Sequence, residues 1–126
     1  MRREALSILS KSGRHDIVAE IALTPQEQAQ GLMFRTSIAD ADGMLFVYDK
    51  PQQLHMWMHN TYVSLDMVFI AADGTIARIE ASAEPLSDRV INSGAPVVAV
   101  LELKAGAATT LALAKGDHVD AAALRR

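Results

Sequence analysis

Leu65-Asp66-Met67-Val68-Phe69-Ile70-Ala71-Ala72-Asp73-Gly74-Thr75-Ile76-Ala77-Arg78-Ile79-Glu80-Ala81 reads as strand, turn, strand. Leu65 to Ile70 is a short apolar run, Asp73-Gly74 is a hairpin turn, and Thr75 to Ala81 returns as a second strand. Working outward, Leu54 to Met58 reads as a strand that ends in a bend or bulge at Asn60-Thr61. Met44 to Tyr48 is an almost unbroken apolar strand, so both of its faces should be covered. The turn Asp40-Ala41-Asp42-Gly43 precedes it and Asp49-Lys50-Pro51 should break it. Ile17 to Leu23 alternates as a half-buried strand does. Thr24-Pro25-Gln26-Glu27 then starts a short helix: Thr24 caps it, Pro25 fits its first turn, Glu27 completes a capping box, and Gly31 ends it. Downstream, Ser82 to Pro96 is the longest irregular stretch. It is followed by a strand at Val97 to Leu103, a short helix within Gly106 to Leu113, a turn at Lys115 to His118 and a last strand at Val119. Seven or eight short strands with one or two short helices make this a mainly β chain. A β-sandwich, jelly-roll-like or partly closed barrel is expected. The alternative is an α+β roll with the Thr24 helix on one sheet face.

At 126 residues, half of them hydrophobic, the chain 1–126 has the size and core material of a single domain. The net charge is −3, and the only positive clusters are Arg2-Arg3 and Arg125-Arg126. Nucleic-acid binding needs phosphate-neutralising Lys and Arg on one face, so no nucleic-acid partner is expected. The chain has no cysteine, which removes thiol nucleophiles, disulfides and Cys-ligated zinc. No apolar run is long enough to span a bilayer, and no membrane insertion is expected. Met1 to Lys11 lacks the apolar core of a signal peptide and reads as the start of a mature domain. A periplasmic or exported location is expected if a signal peptide has been removed, and a cytoplasmic one otherwise.

Gly31-Leu32-Met33-Phe34-Arg35, Gly43-Met44-Leu45-Phe46-Val47, Trp57-Met58-His59-Asn60-Thr61, Leu65-Asp66 and Phe69-Ile70 follow one another in a fixed order. Asp73-Gly74, Pro85, Val100-Leu101-Glu102-Leu103, Gly106 and Gly116-Asp117 continue it. Over roughly Ile17 to Val119 this pattern resembles the bacterial and archaeal family called domain of unknown function 192. The resemblance implies a compact, mainly β domain of sandwich or jelly-roll type, often on exported proteins. It implies no enzyme activity. His59 departs from the pattern, since the family commonly places Lys there.

In an extended strand, His55, Trp57 and His59 share one face, while Leu54, Met56 and Met58 take the other. A Trp between two His marks a partly wet face, where it can stack a sugar ring or planar ligand or simply cover the sheet. Asn60 and Thr61 suit the backbone of a bulge. Asp66 between Leu65 and Met67 needs a partner if buried, and a bidentate pair with Arg35 or bonds to the Asn60 loop are expected. Glu102, between Leu101 and Leu103, poses the same question. His55 and His59 lie ~13 Å apart along a strand, too far to share an ion. No metal site and no cofactor are expected.

Three functions fit these residues. The first is a non-catalytic domain that binds a small polar, saccharide-like ligand in a cleft formed by Arg35, Trp57, Asn60, Thr61 and Asp66, roofed by Ser87 to Pro96. Trp57 would stack the ligand, Arg35 would hold an anionic group and Asn60 would orient it. The second is a metal-independent hydrolase or lyase using Asp66 or Glu102, which could act as a pair only if their strands are neighbours. The third is a protein-interaction module with an exposed sheet edge or apolar patch.

Overall fold

The computed structural model describes residues 1–39 and 42–125. The described residues form nine strands: β1 (Arg3–Ser10), β2 (Gly13–Ala22), β3 (Asp42–Gln52), β4 (His55–Met56), β5 (Leu65–Ile70), β6 (Ile76–Ala83), β7 (Ile91–Asn92), β8 (Val97–Lys104) and β9 (His118–Asp120). Two short helices, α1 (Pro25–Gln30) and α2 (Ala107–Thr110), and a 3-10 turn at Ala122–Leu124 complete the elements. Seven strands join one sheet in the order β6-β5-β8-β3-β2-β1-β9, and β4 and β7 pair separately.

The sheet curls until its two edges meet at one end. Thr75 bridges His118, Ile76 N–H donates to the Asp117 carbonyl at 2.8 Å, and Val119 N–H donates to the Gly74 carbonyl at 2.8 Å. This is a partly closed barrel, as the strand pattern predicts. Gly74 is required at the closure: its φ is +90°, and a Cβ there would lie 2.7 Å from the His118 ring.

Side-chain alternation distributes the core onto two faces. Leu45, Val47, Val68, Ile70, Ala99 and Leu101 fill the inside of the curl with Leu6, Ile8 and Ile21. Met44, Phe46, Met67, Phe69 and Val100 point outward, under Leu54, Met58, Ile91 and Leu32. Both faces of β3 are covered, as its unbroken apolar run predicts. The outer layer consists mainly of irregular chain, with Leu32, Leu54, Met58 and Ile91 packed on the sheet and β7 pairing with β4. Gly43 lets β3 approach β8, because a Cβ there would lie 2.9 Å from both the Glu102 carbonyl and a Leu103 methyl.

α1 forms where the capping signals place it. The Thr24 hydroxyl accepts from Glu27 N–H, and the Glu27 carboxylate accepts from Thr24 N–H at 3.1 Å and Leu23 N–H at 3.0 Å. Gly31, at φ +49°, closes the helix with a bond to the Glu27 carbonyl. The helix carries the crossover between β2 and β3, which run parallel. Gln28 pins it across their ends, donating to the carbonyls of Ala22 and Val47 at 3.2 and 2.8 Å.

Several local expectations are corrected. Residues 3–10, to which the sequence reading assigns no strand, form β1, whose buried Leu6 and Ile8 alternate with more exposed neighbours. Asp49-Lys50-Pro51 does not end β3; the strand runs on to Gln52 through a register shift after Val47, where Pro51 is tolerated. The strand expected at Leu54–Met58 shrinks to His55–Met56. The turn expected at residues 40–43 falls partly on Asp40 and Ala41, which lie outside the described residues, and Asp42 and Gly43 already belong to β3.

Candidate functional site

Arg35 and Asp66 do not pair. Arg35 grips Glu20 with both terminal nitrogens, one bond measuring 2.9 Å. The guanidinium holds the Glu20 carboxyl below its ordinary range. Asp66 lies on β5, almost fully buried, and accepts only from backbone: Ser82 N–H at 2.8 Å, Gly106 N–H at 3.1 Å and Ala108 N–H at 2.9 Å. Gly106 has no side chain to cap α2, so Asp66 serves the free amides of that helix start from a neighbouring strand. The arrangement is structural.

Asp66 and Glu102 do not converge either, although β5 and β8 are neighbours. Asp66 lies opposite Leu103, and Met67 lies opposite Glu102. With side chains alternating, the two carboxyls take opposite faces of the sheet.

Asn60 and Thr61 form the expected bend and stitch three loops together. Asn60 has φ +54°, and its carbonyl accepts from Phe34 N–H at 2.9 Å. Thr61 is buried; its hydroxyl donates to the His59 carbonyl at 3.1 Å and its carbonyl accepts from Leu86 N–H at 3.0 Å. Trp57 is 48% exposed and stacks on the His59 ring, with centroids 4.6 Å apart. His59 in turn contacts Asp88 at 2.7 Å.

These loops enclose a cavity of about 270 Å³ against the outer face of the sheet. Its walls are the end of α1 and its exit (28–33), Phe46 and Tyr48 of β3, residues 55–57 and Thr61, and Glu102 of β8 also lines it. Of the five residues expected to share a cleft, Trp57 and Thr61 line this cavity, while Arg35, Asn60 and Asp66 do not. A larger hollow of about 570 Å³ lies between Arg14–Ile17 and Lys104–Leu111. Among the charged groups that line it, Arg14 and Asp16 are exposed and bonded to each other at 3.0 Å, whereas the smaller cavity reaches the buried carboxyl of Glu102.

Glu102 is the chemically unusual group. It lies opposite Met44 on β3 and Met67 on β5, and its side chain accepts no hydrogen bond among the described residues. Burial pushes its carboxyl up to about 8. Tyr48 is raised too, by burial and then by the charge of Glu102. Tyr48 and Gln28 are the cavity residues that sequence reasoning overlooks. The signal for Tyr48 is its parity with Met44 and Phe46, which puts it on the Glu102 face once β3 and β8 are aligned.

The fold is a curled, mainly β sheet with a loop-lined cavity on its outer face. The chain belongs to the DUF192 family, Uncharacterized ACR, whose profile matches residues 7–121. Two solved structures are similar over nearly the whole chain. One, a candidate transcription regulator from Sinorhizobium meliloti 1021, is 42% identical with a TM-score of 0.93, covering 97% of this chain and 95% of that one. The other, a protein of unknown function from Novosphingobium aromaticivorans DSM 12444, is 37% identical with a TM-score of 0.92, covering 94% and 85%. No curated protein matches the chain. Among the described residues, no helix is long and apolar enough to cross a membrane.

Proposed function

We propose that the domain binds a small polar molecule in the cavity between α1 and Trp57, without transforming it. The observation that carries this reading is a buried carboxyl, Glu102, which accepts no hydrogen bond among the described residues and lines a cavity that also exposes the only tryptophan of the sequence. The walls set Gln28, Gln30, Thr61 and Glu102 among Leu32, Met33, Phe46 and Trp57, and a concave site with placed polar groups suits a small polar ligand. Trp57 supplies an aromatic face. Arg35 has no part in it, because Glu20 already occupies its guanidinium. Asn60 acts only by holding the loop that carries Trp57 and Thr61.

Acid–base chemistry is the second reading, and only Glu102 favours it. A carboxyl raised to about 8 holds a proton at neutral pH, but Asp66 is locked away from the cavity and provides no second carboxylate. The regulator name of the Sinorhizobium relative finds little support here. Among the described residues seven arginines are paired with carboxylates, including Arg2 with Glu4, Arg3 with Asp42 and Arg89 with Glu80, rather than free to neutralise phosphates.

The test is a thermal-shift screen of sugars, organic anions, amines and divalent ions, with Trp57→Ala alongside. A ligand at a hundredfold excess over its Kd should stabilise the fold by ~2.7 kcal/mol. A shift present in the wild type and lost in folded Trp57→Ala supports the site. A shift that survives in Trp57→Ala places binding elsewhere.

A further inference from the structure

We propose that the cavity takes an organic ammonium ligand, its charged nitrogen seated against the Glu102 carboxylate and its carbon body against Tyr48 and Trp57. The inference rests on the small-molecule reading above and names its ligand class.

The charges facing the cavity select the class. Among the described residues no Lys or Arg lines it, and the titratable groups that do are Glu102 from β8, Tyr48 from β3 and His55 from β4. α1 and its exit contribute amides, apolar groups and backbone, including Gln28, Gln30, Leu32 and Met33, and β5 places the apolar Met67 opposite Glu102. An anionic ligand would meet the Glu102 carboxyl with no cation to compensate it. A neutral ligand can share a hydrogen bond with Glu102 but does not offset the charge that the carboxyl carries once ionised. A cation does both, since a charge-assisted bond is stronger than a neutral one. Aromatic faces add to the attraction for a cation.

Binding in this mode requires the carboxylate form. Burial holds Glu102 protonated up to about pH 8, so an amine charged throughout this range must displace that proton on entry. Its affinity therefore rises with pH up to about 8 and then levels off. This dependence separates seating on Glu102 from attraction to the net negative surface, which is present at any neutral pH.

The experiment titrates the full chain with n-butylamine and choline, and with n-butanol, butyrate and glucose as neutral and anionic comparators. Trp57 fluorescence and thermal shift are read at pH 6.5 and 8.5, for the wild type and Glu102→Gln. The expected result has four parts: an amine binds at least tenfold more tightly than n-butanol, gains about tenfold or more from pH 6.5 to 8.5, loses at least tenfold in Glu102→Gln, and loses its pH dependence there. If n-butanol, butyrate or glucose binds as tightly as the amines, or if Glu102→Gln leaves amine binding intact, the ammonium assignment is overturned while the small-molecule reading survives. If none of the five changes either readout, both fall.

Discussion

Replacing Glu102 with Gln should make the protein more stable, by an amount that depends on pH in a defined way. Gln keeps the shape of the side chain and removes the ionisable proton. In the folded wild type the carboxyl holds its proton to about pH 8, against an ordinary value of 4.5. Below 4.5 both states carry the proton and the two proteins should be equally stable. Between 4.5 and 8 only the unfolded state releases it, so each pH unit costs the wild type about 1.4 kcal/mol. The gap should reach about 3 kcal/mol at pH 7 and flatten at roughly 5 kcal/mol above pH 8. At this chain length, 3 kcal/mol corresponds to about 10 °C in Tm. Urea unfolding followed by far-UV circular dichroism across pH 4.5 to 9 measures it. Subtracting the two stability curves cancels contributions both proteins share, including the acid limb from Glu20. A difference that stays constant from pH 5 to 9 would refute the argument, because it would mean that Glu102 ionises as freely folded as unfolded.

Four further substitutions probe the framework. Asp66→Ala strips three backbone amides of their acceptor and should cost roughly 3 kcal/mol in urea unfolding, as loss of a buried charged acceptor does; a cost below 1 kcal/mol would show that the β5–α2 junction is held otherwise. Arg35→Met breaks a half-exposed pair and should cost no more than about 1 kcal/mol, with ligand binding at the Trp57 cavity unchanged; loss of binding would return Arg35 to the site. Thr24→Ala removes the α1 cap and should lower stability by about 1 kcal/mol, and a neutral result would mean that the Gln28 bonds alone hold the helix. Gly43→Ala forces a methyl against the Glu102 carbonyl and should cost about 1–3 kcal/mol of chemical stability; a wild-type midpoint would disprove the close β3–β8 approach.

Local chemistry is what made parts of this molecule readable in advance. The Thr24–Glu27 capping box, the Asp73-Gly74 turn and the continuous apolar β3 announce themselves within a few residues, because caps, turns and two-sided burial are short-range properties. β1 gave a weaker sign, since Leu6 and Ile8 become a strand only through partners at residues 13–20 and 118–120. The candidate site was harder still. Arg35 and Asp66 are each a plausible partner for the other by charge, and nothing in the order of residues reveals that Glu20 lies beside Arg35 or that Asp66 faces three amides. Trp57 and Thr61 were found because composition flagged them. Glu102 was noticed only as a carboxyl in an apolar strand. Its place on the cavity depends on its parity relative to Asp66, which is settled by strand register and so by tertiary pairing.

The pairing of β1 with β9 also bears on how the molecule is made. Ile8, fully buried, lies opposite Val119, and the same last segment supplies the carbonyl of Asp117 and the amide of Val119 that draw the two sheet edges together. During synthesis the β1–β2 hairpin emerges before both of its neighbours; β3 soon covers the β2 side, and the β1 side waits for β9. The hairpin keeps that open edge until some hundred further residues have left the ribosome. Contacts so distant along the chain form slowly, and an unpaired strand edge is prone to pair with other chains in the interval. Loss of the few residues around Val119, by early termination or by proteolysis, would leave nearly all of the sequence translated and the barrel unable to close.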